Sequence, residues 1–154
     1  MADELWRAAA FDALSNAGLY EILALRQRVF AVEQRILYVD ADGRDAEALH
    51  LTAHNRNGTL VAYARIFLPS GEEARCAVGR VVVAPEARGA GLGRALMREA
   101  LHVCAEHAPG AAAKVAAQAH LQRFYEELGF TAVSGVYDEV GIPHMDMVRR
   151  SPDK

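Results

Sequence analysis

Cysteine is nearly missing from this chain, and the two present, Cys76 and Cys104, fall in apolar periodic segments without C-x-x-C spacing or paired histidines. That excludes a disulfide scaffold and a zinc module, and it predicts buried thiols in a reducing compartment with no metal bound. Long apolar runs are missing too. Every apolar stretch breaks well short of the roughly 18 residues that a membrane span needs, and no basic segment followed by an apolar one opens the chain. No membrane partner and a cytoplasmic location are therefore expected. Lysine and arginine form no cluster, and the formal charge is −3. Nucleic acid is a poor partner for such a surface, because phosphate backbones demand a basic face. Repeats, linkers and low-complexity tracts are also absent, apart from a richness in alanine.

What is there alternates in type along the chain. Leu5 to Ala10 reads as a strand, and Ser15 as the N-cap of a helix carrying Leu19, Ile22, Leu23, Arg26, Val29 and Phe30 at helical spacing. An irregular acidic loop runs on to Glu47. Leu49, Leu51 and Ala53, then Val61, Tyr63, Arg65 and Phe67, alternate as two strands joined by a tight hairpin at Asn57-Gly58. Val78 to Val83 is a further strand. Leu92, Leu96, Ala100, Val103 and His107 mark the inner stripe of a helix ending before Pro109-Gly110. Val115 to Ala117, Phe130 to Tyr137 and Met145 to Arg149 complete the strands. At 154 residues the chain is long enough for one domain that buries roughly two thirds of its unfolded surface.

The segment between Val83 and Arg94 carries the chemistry. An apolar strand passes into Arg88-Gly89-Ala90-Gly91-Leu92-Gly93 and then into an amphipathic helix. Alternating glycines let backbone approach an anion, and the first free N–H groups of the helix point to the same place. A dinucleotide fingerprint is disfavoured because the third glycine arrives one residue early for G-x-G-x-x-G. A nucleoside-triphosphate loop fails as well, since Gly93 is followed by Arg94 and Ala95 rather than by Lys and a hydroxyl residue. The plainer reading is a strand, a tight turn and a helix, with the glycines serving only the turn.

Read as Arg88-x-x-Gly91-x-Gly93 after a valine-rich strand, the segment resembles the pyrophosphate-binding motif of the GNAT superfamily of acyl-CoA N-acyltransferases. Gln118 through Phe130 resembles that superfamily's second block, with Tyr125 and Gly129-Phe130 in place and Gln118 where an asparagine is usual. The same stretch also reads as a short helix packing Leu121, Phe124, Tyr125 and Leu128, closed by Gly129 as a left-handed cap. Arg28 to Gln34, Tyr38 to Asp45 and Gly141 to His144 resemble the ElaA-type branch. The resemblance spans residues 6–149 as a single domain. It implies an α/β (α+β) fold with a mixed, mostly antiparallel sheet and helices on both faces.

The resemblance also implies acetyl-CoA as cosubstrate and an amine, on a small molecule or a protein, as acceptor. Backbone groups of Val81 and Val83 would hold the pantetheine arm, Arg88, Gly89, Ala90, Gly91, Leu92 and Gly93 the pyrophosphate, and Gln118 a further polar contact. Tyr125 would protonate the departing thiolate. For the base that takes the amine proton, Glu33, His120, His144 and Glu139 are candidates, with Glu33 and His144 ranked first because they fall in branch-specific segments. The acids of residues 31–47 either draw in a cationic amine or are simply solvated. Counted from Asp40, they miss the calcium-loop spacing. A non-catalytic acyl-CoA-binding sensor is the alternative, and a homodimer through strands near the C-terminus is left open.

Overall fold

The computed structural model describes residues 3–151. Strand β1 (Leu5–Ala10) pairs antiparallel with β2 (Leu49–His54), which pairs with β3 (Leu60–Phe67), which pairs with β4 (Cys76–Val83). Strand β5 (Ala113–Gln118) lies parallel to β4, and β8 (Ile142–Arg149) pairs antiparallel with β5. Two short strands, β6 (Thr131–Ala132) and β7 (Tyr137–Glu139), both pair with β8. Only the β4–β5 junction is parallel, so the sheet is mixed and mostly antiparallel, as expected.

Helices cover both faces. Helix α1 (Asn16–Arg26) starts where Ser15 accepts a hydrogen bond from the Gly18 N–H at 3.0 Å, the cap read from the sequence. With the π-helical segment after it, α1 packs Ile22, Leu25, Val29 and Phe30 against Tyr63 and Val82. Helix α2 (Leu92–His107) packs Leu96, Met97, Ala100 and Val103 against Ala62, Ala64 and Ile66. Because successive side chains of a strand point to opposite faces, Tyr63 belongs to one layer and its neighbours Ala62 and Ala64 to the other. Cys76 and Cys104 are buried free thiols.

Two local expectations need correcting. The helix after Ser15 does not fray into a loop at Ala31 but widens at Gln27–Glu33 into a π-helix. The tight hairpin expected at Asn57-Gly58 forms: Gly58 takes φ +79°, its N–H donates to the Asn55 carbonyl at 2.9 Å, and the Asn55 carboxamide oxygen also accepts from the N–H groups of Asn57 and Thr59. The C-terminal region holds three strands rather than two, because Val140 and Gly141 both take positive φ (48° and 82°) and reverse the chain between β7 and β8.

Candidate active site

Strands β4 and β5 pair only at Cys76↔Ala113 and Ala77↔Lys114. Beyond that point they part, and a cleft of about 570 Å³ opens between them. Its walls are Ala77 to Val81 of β4 and Lys114, Val115, Ala116 and Gln118 of β5, with Phe30, Gln34, Ile36 and Tyr38 across the mouth. The parting has a cause within β4. Its register against β3 shifts between Tyr63 and Arg65, and Arg80 sits at φ +49°, so β4 bulges there and bends away.

Sequence reasoning missed Arg80, although a glycine and an arginine inside a valine strand is a bulge signal. The bulge aims Arg80 at the acidic loop, where its guanidinium meets Asp40 at 2.7 Å and Asp42 at 3.5 Å. Arg26, fully buried, holds Asp40 and Asp45, each at 2.7 Å. Arg65 binds both oxygens of Asp42, at 2.8 and 2.9 Å, and one oxygen of Asp45 at 3.0 Å. Arg65 above all holds the Asp42 carboxyl well below the usual carboxylate range. At Asp45, burial opposes the charge, yet Arg26 and Arg65 still hold its pKa down. Glu47 pairs with Arg44 at 2.8 Å. The three aspartates are thus not a solvated surface, because arginines hold them, whereas Glu47 stays exposed in its pair with Arg44.

Glu33 leaves the cleft. Its two oxygens accept from Arg88 at 2.7 Å each, and that bond lowers its pKa. Glu33 and Arg88, expected at opposite ends of the chemistry, are therefore partners. The Arg88 Nε also donates to the Val83 carbonyl at 3.2 Å. Gln118 donates to Gln34 at 3.3 Å, joining β5 to the residue that ends the π-helical segment.

The glycine turn follows directly from β4 and does not line the cleft. Gly89 (φ +91°) and Gly91 (φ +79°) need their conformation, and Gly91 caps α2 without a side chain, which leaves the first N–H groups of the helix free of a side-chain acceptor. Gly93 is different. Its φ is helical, and an added Cβ would meet only the Phe124 ring at 3.8 Å and Val83 at 4.0 Å, ordinary contact. Among the described residues nothing requires a glycine there, in a position where glycine weakens a helix. Its absence of a side chain leaves room beside the first N–H groups of α2, where an anion is favoured.

Tyr125, Glu139, His120 and His144 all line the cleft. Tyr125, on α3 (Gln122–Glu127), is 6% exposed and packs edge-on against Phe124 and Phe130. Burial pushes its phenol up to about 12, so it keeps its proton at neutral pH. Its hydroxyl makes no hydrogen bond among the described residues and is not sealed from the cleft. A buried tyrosine normally finds a partner, and this one offers its hydroxyl to the open space. His144 Nδ1 lies 2.8 Å from the Ile142 carbonyl. A carbonyl only accepts, so Nδ1 carries the hydrogen and Nε2 keeps its lone pair.

Residues 20–151 match the family described as the acetyltransferase (GNAT) domain. The chain belongs to the GNAT family. Similar proteins include a UPF0039 protein of Synechocystis, 40% identical over 96% of each chain. Among solved structures, an acyl-CoA N-acyltransferase from Pseudomonas aeruginosa is 40% identical, with TM-score 0.90 over 95% of this chain and 99% of that one. Escherichia coli ElaA is also 40% identical, with TM-score 0.89 over 96% and 99%. The resemblance to the ElaA-type branch and the expected fold both hold, and the chain is a GNAT acyltransferase that draws on acyl-CoA.

Proposed function

We propose that the protein is an N-acetyltransferase that moves an acetyl group from acetyl-CoA to an amine by direct attack, with Tyr125 as general acid and His144 as general base. The observation that carries this reading is the pair of unengaged groups in one cleft, the Tyr125 hydroxyl and the His144 Nε2. The donor, when bound, supplies a thioester carbonyl open to a neutral amine. The glycine turn and the first N–H groups of α2 would hold its pyrophosphate, and the parted backbone of β4 near Val81 its pantetheine arm. His144 Nε2 takes a proton from the amine, and the Tyr125 hydroxyl gives one to the leaving sulfur. Glu33, tied to Arg88 outside the cleft, takes no part in proton transfer.

General acid–base groups contribute roughly 10²–10⁴-fold. Tyr125→Phe is expected to lower kcat by about 100-fold, with the calorimetric affinity for acetyl-CoA kept. His144→Gln should lower kcat/KM by about 100-fold, again with the affinity for acetyl-CoA kept. A sensor that only binds acyl-CoA would show no amine-dependent thiol release in any of the three proteins, and normal turnover by Tyr125→Phe would remove the acid assignment.

A further inference from the structure

The cleft is lined by charged side chains whose partners can be followed one at a time. Arg44 is held by Glu47, Arg80 by Asp40 and Asp42, Lys114 by Glu73 at 3.0 Å, and Asp42 by Arg65. Glu139 is the exception: it has no ion-pair or hydrogen-bond partner among the described residues. The register of the β7–β8 hairpin fixes where it stands. Tyr137 is opposite His144 and Glu139 opposite Ile142, so Tyr137, Glu139, Ile142 and His144 share one face, with Glu139 diagonal to His144. The Tyr137 ring stacks on the His144 imidazole, with centroids 6.3 Å apart at 25°, and steadies that face.

Diagonal neighbours across a hairpin stand about 7–8 Å apart. A carboxylate touching the reacting nitrogen would keep it an ammonium, and so unreactive. One placed a short chain away binds a second cation and leaves the first amine free to lose its proton. Ile36 and Val140 line the same cleft and offer it apolar surface suited to methylene groups.

The geometry points to Glu139 as the anchor for a second ammonium, which makes the acceptor a short aliphatic diamine. This rests on the amine-acetylating reading above and narrows it. The anchored nitrogen stays charged on Glu139. The distal amine, neutral after His144 takes its proton, forms the new C–N bond to the acetyl carbon as the C–S bond breaks; Tyr125 gives its proton to the departing sulfur and regains one from the new amide nitrogen.

The test compares diaminobutane with butylamine, which differ by one terminal amine. Charge-assisted hydrogen bonds contribute enough to shift an equilibrium by about ten-fold. The expected kcat/KM with acetyl-CoA is about ten-fold higher for diaminobutane, mainly through KM. Glu139→Gln should bring the ratio close to one, and Glu139→Asp should keep part of it. Equal values for the two amines in the native protein, or a ratio that Glu139→Gln leaves in place, would overturn the proposal. Calorimetric titration with each amine gives a second readout: diaminobutane binding weakened by Glu139→Gln supports the anchor, and no preference over butylamine counts against it. Butylamine turnover that falls with Tyr125→Phe upholds the acid–base reading even where the diamine preference fails, so the two failures are told apart.

Discussion

Arg88 and Glu33 show how a single pairing redistributes roles. Each side chain, taken from the sequence, had its own task, a phosphate contact for one and proton transfer for the other. The bidentate bond between them spends neither on the acceptor side and leaves the arginine beside the glycine turn with its charge paired. Glu33→Gln frees that charge for an anionic donor, and acetyl-CoA should then bind a few-fold more tightly at low salt. The gain should shrink as ionic strength rises, because both groups are exposed and screened. Titrations at two salt concentrations check it. Were Glu33 the base instead, kcat would fall by about 100-fold with donor affinity little changed. Tyr125 and His144 were legible in the sequence because each sits in a segment with a recognisable neighbourhood. Their free hydroxyl and free nitrogen were not, since both depend on what fails to pack beside them.

Helix α2 and its leading turn join stability to binding with opposite signs. At Gly93 an alanine is sterically harmless and a better helix former, so Gly93→Ala should raise stability by about 0.5–1 kcal/mol while weakening acetyl-CoA binding. Denaturant unfolding and calorimetry on the same variant check both halves, and a variant that gains stability with donor affinity intact would mean that the glycine serves the turn alone. Periodicity placed β1 at its observed bounds, gave Ser15 as a cap, and gave the inner stripe of α2 from Leu92 to Val103, although His107, expected on that stripe, is exposed. It could not show the π-helical segment at Gln27–Glu33. The apolar spacing of Val29 and Phe30 fits a 3.6-residue turn as well as a wider one, and the choice is made by packing against Tyr63 and Val82. The β7–β8 reversal was hidden for a similar reason. Val140 is an unfavourable residue for positive φ, and only the pairing of the flanking strands holds it there.

Across the whole molecule, the sheet and its two helical layers follow from alternation and spacing, but the network that fixes the cleft wall does not. Arg26, Arg65 and Arg80 lie on three different elements, and the aspartates they hold lie within six residues of one loop. No local pattern announces such a meeting. Its neighbour His50 is fully buried, with Nε2 donating to the Asp45 carbonyl at 2.8 Å and Nδ1 accepting from the Tyr63 hydroxyl at 2.7 Å. It is therefore neutral, and burial holds its pKa below the ordinary 6.5. As pH falls below that value, the unfolded chain takes up a proton that the native one refuses, so stability should drop. Asp42 and Asp45 are also depressed, and they too lose stability as pH falls, but in a more acidic range. Their contribution is present above the ordinary 3.8 and is lost as pH falls from there through their native values. Thermal unfolding should show a first loss beginning near neutral pH and a second in strong acid, with the first diminished in His50→Gln. A melting temperature indifferent to pH between about 7 and 5 would mean that the fold accepts the proton on His50.

The parting of β4 from β5 also divides the amides of one strand into two populations. Strand β5 is paired along its whole length with β8 but with β4 only as far as Lys114. Every second N–H beyond that residue is locked in the ladder, while those between face open space. In deuterated water β5 would exchange in alternation, slow then fast, within a strand of uniform burial on its core face. A bound molecule bearing its own amides would erase the alternation without moving the fold, so β5 itself can report occupancy of the cleft whichever acceptor the protein serves.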